Sequence, residues 1–237
     1  LKVLALVPAR NEADSLPDVV RALVADQPGL DVLVVDDASS DATGEILPAL
    51  GVEWLRLTEH LGVGSAIRAG LRYASHLGYD VVVRTDGDGQ HPASEIERLL
   101  APILSGEADA VVGSRYNGSS TRRALGFRRT AQHLAAAWLS FTTGLCVTDP
   151  TSGFWAFGPR AVRLLASRHP TGYPEPELLM LLAQTGLRVV EVPIQMNARI
   201  AGQTSLTAAR VGSACVSTGL SLLISPLRRS ARGVRGE

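Results

Sequence analysis

Continuous apolar runs of strand length alternate with helical patterns through the first half of the chain. Residues 3–7, 32–35, 54–57, 81–83 and 110–112 are the predicted strands. After Asp14 or Ser15 as cap, Leu16, Val19, Val20, Leu23 and Val24 recur at helical spacing. Further helices are predicted over 41–46, over 64–77 with Gly78 as stop, and over 95–104. This alternation makes βαβ units and a mainly parallel sheet. The strands are apolar throughout rather than every second residue, so helices cover both faces. The fold class is α/β, an αβα sandwich.

Beyond Tyr116 the rhythm changes. Residues 118–121 and an arginine-rich stretch read as a loop, followed by a helix over 130–141 with Leu134, Ala137, Trp138 and Phe141 on one face. A strand over 153–157, helices over 159–167 and 177–184, and a strand over 188–192 complete the pattern, with Pro159 in a first turn and Gly186 as a stop. One domain is expected over 1–206, its halves being 1–116 and 117–206, with an apolar and basic helical extension over 207–237.

The 237 residues carry 23 basic and 23 acidic side chains, and this balance disfavours a nucleic-acid partner. The balance is local as well as global in only part of the chain. No acid occurs over 110–148, where Arg115, Arg122, Arg123, Arg128 and Arg129 fall. Cys146 and Cys215 have no metal-site spacing and are expected as small buried hydrophobes in a reducing compartment. The opening apolar run is too short for a signal sequence. Residues 211–227 are uncharged but rich in Ser and Gly, and Arg228, Arg229, Arg232 and Arg235 follow. The expectation is a cytoplasmic protein that meets the inner face of the membrane through this segment and the arginines of 122–129.

Ligands of parallel α/β sheets bind beyond the carboxyl ends of the strands. The residues there are PARNE from Pro8 to Glu12, Asp36 and Asp37, Glu59 and His60, DGD from Asp86 to Asp88, and GSRY from Gly113 to Tyr116. Two carboxylates one residue apart can share a hard cation such as Mg²⁺ or Mn²⁺, which keeps open positions for phosphate oxygens. Glycines around them let backbone approach a ligand closely. Asp36 and Asp37, followed by serines, suit hydrogen bonds to a nucleoside, while Asp41 is expected to cap the next helix.

The strings VPARNE, VVDDASSDAT, GVGSAIRAG, DGDGQHP and VVGSRY stand in an order and spacing that resembles glycosyltransferase family 2. With DPTSGFWAF and EVPIQMNARIAGQTS downstream, the likeness covers residues 1–206. It is strongest to the dolichol-phosphate mannose synthase-like, polyprenyl-phosphate branch. The resemblance implies a GT-A fold and an inverting, metal-dependent transfer from a GDP- or UDP-sugar. It implies that Pro8, Arg10 and Glu12 contact the nucleotide, that Asp36 holds base or ribose, and that Gly64 belongs to the same nucleotide-sugar set. Asp86 and Asp88 match the DxD pair, and Gln90 a position that joins the metal shell. Arg115 matches a phosphate-holding arginine, and Arg199 one that closes over donor or acceptor phosphate. Glu177 aligns with a family acid, with Glu175 as its rival. Asp88, Arg115, Glu177 and Arg199 are thus the expected catalytic set. Charge that develops on a departing nucleoside diphosphate is stabilised by a divalent metal with arginines, whose planar fork suits phosphate.

Two features depart from the branch: the late motif lacks its usual lysine, since Gly202-Gln-Thr-Ser205-Leu206 has none, and the stretch Tyr173-Pro-Glu-Pro-Glu177 carries two acids. A phosphate acceptor needs no general base, whereas a sugar hydroxyl does, and Glu177 would supply one. The primary expectation is transfer to a polyprenyl phosphate. Transfer to a hydroxyl of a cell-surface polysaccharide or glycolipid is the alternative, and an inactive nucleotide-sugar-binding module a third. A nucleotidylyltransferase would carry a glycine-rich basic loop after the first strand, and VPARNEADS is not one. His91 is open between ligand and structural roles, and Asp149 between a turn and the acceptor site.

Overall fold

A computed structural model of the chain describes residues 1–115, 140, 143–145, 148–171 and 174–197. The helix expected over 130–141, the arginines of 122–129, Cys146, Arg199, Cys215 and the 207–237 extension therefore lie outside the described residues. In chain order the elements are β1 (Val3–Ala9), α1 (Leu16–Asp26), β2 (Leu30–Asp36), α2 (Thr43–Ile46), β3 (Glu53–Arg56), α3 (Val63–His76) and β4 (Val81–Arg84). Then follow α4 (Ile96–Leu104), β5 (Ala110–Ser114), β6 (Trp155–Phe157), α5 (Pro159–Arg168), α6 (Pro174–Gln184) and β7 (Val189–Pro193). Short 3₁₀ turns, Leu47–Leu50 and Ala93–Glu95, follow α2 and precede α4.

The seven strands form one sheet in the order β3-β2-β1-β4-β6-β5-β7. The expected α/β class with a mainly parallel sheet is borne out. All pairings are parallel except those of β6, which runs antiparallel to both β4 and β5. Successive strand residues face opposite sides. Ala5, Val7, Val34, Val83 and Val111 pack with Leu16, Val20, Leu23, Ile96 and Leu99 in one core layer. Leu4, Leu6, Leu33 and Val82 point the other way and are as completely buried, on the face where α3 and α5 pack.

Two boundaries differ from expectation in ways that bear on the site. Strand β4 takes in Arg84, one residue beyond its apolar run. Helix α6 begins at Pro174, three residues before the predicted start. A proline in a first turn gives up an N–H that has no intrahelical partner there, so it marks a start.

The sheet reverses its order of filling at β1, with β2 on one side and β4 on the other, and this is where a ligand crevice opens. Pairing of β1 with β4 ends at Leu6 opposite Arg84, while pairing with β2 runs on to Ala9. Leu6 O accepts the Thr85 N–H (3.1 Å), so the alternate residue Pro8 also faces the β4 side. Its lack of an N–H costs no ladder bond there, because β4 has ended.

Helix α3 starts on the segment that leads into α6. A Cβ at Gly64 would stand 2.5 Å from Pro170 O and 2.8 Å from Thr171 Cα, both backbone atoms that cannot swing aside. Gly64→Ala is expected to cost about 1–3 kcal/mol of stability, read as a lowered midpoint in urea; an unchanged midpoint would mean the loop yields.

His169, at the end of α5, is buried and donates its Nδ1–H to Pro170 O (2.8 Å). Burial, with the Arg84 charge adding to it, lowers its pKa from 6.5 to about 3. The unfolded chain therefore binds one more proton than the folded one between these values, and stability falls as pH drops through that window. The group accounts for about 2 kcal/mol between pH 7 and pH 5, or about 4–8 °C of Tm for a domain of this size. Melting of wild type and His169→Gln across this range should show the variant's profile flatter by that amount.

Candidate active site

Two loops that follow β1 and β2 are laced together by side chains. Arg10 Nη1 donates to Asp37 O (2.6 Å) and Ala38 O (3.1 Å). The Asn11 N–H donates to Ser39 Oγ, the Glu12 N–H to Thr43 Oγ1, and Ser40 N–H to Asn11 Oδ1, each at 2.9 Å. Asn11 (φ 55°) and Ala38 (φ 52°) both take the left-handed conformation, and for Ala38 this costs about 1–2 kcal/mol. The lacing is what holds it. Asp41 accepts the Thr43 N–H (2.9 Å) at the entry to α2, but the N-cap position is Ala42 rather than the expected Asp41.

The acids at the end of β2 are turned into the protein. Asp36 accepts the Ser39 N–H (3.0 Å) and hydroxyl (2.5 Å) on Oδ1. Its Oδ2 meets Arg56 Nε at 3.2 Å as an ion pair, off the line of a hydrogen bond. Asp37 receives the Leu61 N–H (2.8 Å), the Gly62 N–H (2.9 Å) and His60 Nδ1 (2.7 Å), and so fixes the entry to α3. Side-chain exposure is 0% for Asp36 and 3% for Asp37, so neither carboxylate faces open solvent.

The DGDGQHP loop follows β4 at the crevice. Ser15 Oγ lies 2.7 Å from Gly87 O and 2.8 Å from Glu12 Oε2, joining this loop to the one after β1. Asp88 is buried and accepts the Gln90 N–H on Oδ1 (3.0 Å) in a tight turn closed by Gly89 at φ 78°. Gln90 O accepts the Asn197 N–H (3.0 Å), which brings the residues after β7 to the same loop. The Asp86 side chain is 36% exposed, the most open of these acids.

His91 has a structural place. Its Nδ1 accepts the Asp86 N–H (3.0 Å), and its ring stacks on Phe154 at 4.7 Å and 5°. Burial lowers its pKa against the pull of the Asp86 and Asp88 charges, so it holds the loop as a neutral ring.

Arg84 and Glu175 join the two halves of the site. The Arg84 side chain is 3% exposed; Nη2 meets Glu175 Oε1 at 2.8 Å and Asp86 Oδ1 at 3.6 Å. Burial works to lower its pKa, and the Glu175 and Asp86 charges more than offset this. Glu175 and Glu177 share the first turn of α6, but residues two apart do not face the same way on a helix. The acid of this turn that pairs with Arg84, next to the DxD loop, is Glu175.

Arg115 is held by Asp149, which is fully buried. Nε and Nη2 donate to its two oxygens at 2.6 and 2.7 Å, and Nη2 to Thr151 Oγ1 at 2.9 Å. Glu191 on β7 fixes Asp149 in turn, accepting the Thr148 N–H (2.6 Å), the Thr148 hydroxyl (2.6 Å) and the Asp149 N–H (3.1 Å). Sequence reasoning missed Arg84 and Glu191. An arginine set between an apolar run and a DxD pair was the available signal for the first.

A hard cation fits this loop. Asp86, Asp88 and the Gln90 amide are oxygen donors, and Mg²⁺ or Mn²⁺ is commonly held by one or two carboxylates with substrate phosphates. Among the described residues there is no group of three or more His, Cys, Asp or Glu side chains that would cage a metal by themselves. Pro8, Arg10, Glu12, Asp36, Asp37, Asp86, Asp88 and Gln90 all stand on or beside the loops at the carboxyl ends of β1, β2 and β4, with the Asp36 and Asp37 carboxylates turned inward. Gly64's missing side chain is used by the 170–171 backbone, and Arg199 lies outside the described residues.

The model of "Glycosyl transferase family 2" matches residues 5–162. The chain is 34% identical to the undecaprenyl-phosphate mannosyltransferase of Micrococcus luteus, over 92% of each chain. It is 31% identical to the polyprenol monophosphomannose synthase of Mycolicibacterium smegmatis, over 90% of this chain and 84% of that one. Glucosyl-3-phosphoglycerate synthase from Mycobacterium tuberculosis, solved with Mn²⁺, UDP and phosphoglyceric acid, has the same fold. That likeness has a TM-score of 0.69 at 22% identity and covers 94% of this chain and 78% of that one. The resemblance carried by the five ordered motifs is thereby borne out, including its branch. The chain belongs to glycosyl transferase family 2 and is a glycosyltransferase.

Proposed function

We propose that this chain transfers a hexosyl group, mannosyl by its likeness to the two bacterial relatives, from a nucleoside-diphosphate sugar to a polyprenyl phosphate. The observation that carries the acceptor is the Glu175–Arg84 pair. A carboxylate engaged at 2.8 Å with a buried guanidinium is committed to that ion pair rather than free to take a proton from an acceptor hydroxyl. A hydroxyl acceptor needs a general base and a phosphate does not. An oxygen of the acceptor phosphate attacks the anomeric carbon as the bond to the nucleoside diphosphate breaks, which inverts the centre.

In this reading the donor lies in the crevice between the ends of β1 and β4. Asp36, Asp37 and Arg10 act by shaping the loop backbone and serines that meet the nucleoside. Asp86, Asp88 and Gln90 hold the cation, as the Mn²⁺ and UDP of the M. tuberculosis neighbour support. A divalent cation supplies charge neutralisation on the leaving diphosphate. Arg115, locked in orientation by Asp149, adds a fixed positive charge for the same phosphates, and Arg199 remains a proposed closing residue. Glu177 is assigned no proton transfer when the acceptor is a phosphate.

A polyprenyl acceptor lies in a membrane. Among the described residues no helix is long and apolar enough to cross one. The reading therefore assigns peripheral contact, at the inner face, to the arginines of 122–129 and the 211–227 segment. Residues 1–206 form the catalytic domain in it, and 207–237 the extension.

The test is transfer of labelled sugar from GDP-mannose, with UDP-sugars as rivals, to undecaprenyl phosphate or to a glycolipid hydroxyl. Label should enter the polyprenyl phosphate, with EDTA and Asp88→Ala each reducing the rate by about 10²-fold or more. Label entering only the hydroxyl acceptor would overturn the reading. A nucleotide at about 100 times its Kd, with Mn²⁺, should add about 2.7 kcal/mol to stability in wild type and little in Asp88→Ala.

A further inference from the structure

Arg84 is a whole charge taken out of water, and its surroundings are uneven. Nη2 has two acids, Glu175 at 2.8 Å and Asp86 at 3.6 Å, while Nε and Nη1 are buried without a hydrogen-bond partner among the described residues. The guanidinium is thus under-satisfied and its charge must be met by those acids. Asp86 has a close backbone neighbour on its other side. Gly153 packs against it so closely that a Cβ there would stand 2.5 Å from Oδ2. Asp86 is accordingly held beside a permanent cation, and anything positive that binds it must compete with that cation.

The competition is decided by Glu175, which stands closer to Arg84 and makes the hydrogen bond. We propose that Glu175 is the counter-charge of Arg84 and thereby keeps Asp86 able to accept a divalent cation, so that a positioning residue on α6 sets the cation affinity of the loop after β4. This rests on the cation reading of Asp86 and Asp88. With Glu175 neutral, Asp86 is the carboxylate left within 4 Å of Arg84 among the described residues, and a divalent ion there faces an uncompensated positive charge at close range. With Arg84 also neutral, that repulsion is gone and Glu175 has nothing to do. The two residues are 91 apart in sequence and belong to different layers of the chain, β4 and the helix after α5.

The experiment measures Mn²⁺ binding to the full chain, by electron paramagnetic resonance of the free ion, without a sugar donor and with UDP or GDP present. Glu175→Gln is expected to weaken Mn²⁺ binding by about 10-fold or more, Glu175→Asp to stay within about 3-fold of wild type, and Arg84→Met/Glu175→Gln to recover to within about 3-fold. A merely structural brace predicts the reverse for the double variant, which would then bind at least as weakly as Glu175→Gln. That result, or unchanged binding in Glu175→Gln, overturns the proposal. If Glu175→Gln proves unfolded by its thermal melt, Arg84→Met alone decides: Mn²⁺ binding equal to or tighter than wild type supports the counter-charge, and weaker binding overturns it. Wild type that binds no Mn²⁺ with either nucleotide removes the cation reading itself.

Discussion

A carboxylate taken out of water must be met by hydrogen-bond donors or by a positive charge. At the C-terminal edge of this sheet those donors come from a different segment each time. Asp37 after β2 is met by the N–H groups of 61 and 62, Asp149 by Arg115, Glu175 by Arg84, and Glu191 by the backbone of 148 and 149. Each of these acids is thus a cross-link between segments that the sheet alone would leave apart. The crevice keeps its form through these links, because the ladder that would have joined β1 to β4 stops at Leu6. Energetically such links are worth most by being complete, since removing one partner leaves the other charged and buried.

Much of the architecture was legible because parallel strands covered on both faces are plain apolar runs, and residues 3–7, 32–35 and 81–83 needed no tertiary information. What could not be read was direction and inward-facing charge. Trp155–Phe157 is as apolar as its neighbours, and nothing in a three-residue run says that it runs antiparallel. Arg84 ended the apolar pattern and so read as a loop residue, although it continues β4 and is buried. Its partner lies on a helix that begins three residues before the predicted start, and there the resemblance favours Glu177 over Glu175. Asp149 was recognisable as a turn residue; its bidentate grip on Arg115 depends on β7 reaching back through Glu191. In each case the unread part is a side-chain pair whose members are distant in sequence.

Both non-glycine residues with positive φ among the described residues also lie here. Asn11, Ala38 and Gly89 all take positive φ, and each sits on a loop that borders the crevice. Such conformations persist only where surrounding contacts over-determine them. Arg10 on the Ala38 carbonyl and Gln90 on Asp88 are those contacts. The rigidity of these loops therefore comes from polar contacts rather than from packing, and the loops keep their shape next to solvent.

The reversed direction of β6 has a topological meaning of its own. β5 ends at the crevice edge, and because β6 runs the other way it also begins there. The forty residues between Ser114 and Trp155 therefore leave and rejoin the sheet on one rim. Loop-closure entropy rises only logarithmically, about 0.6 kcal/mol for a doubling of length. The part of that stretch between Arg115 and Thr148 can lengthen, shorten or be exchanged without shifting any strand register, provided Asp149 still meets Arg115, Gly153 still meets Asp86 and Phe154 still meets His91. The reversed strand thus gives the sheet a place where the chain can vary in length and sequence at little thermodynamic cost.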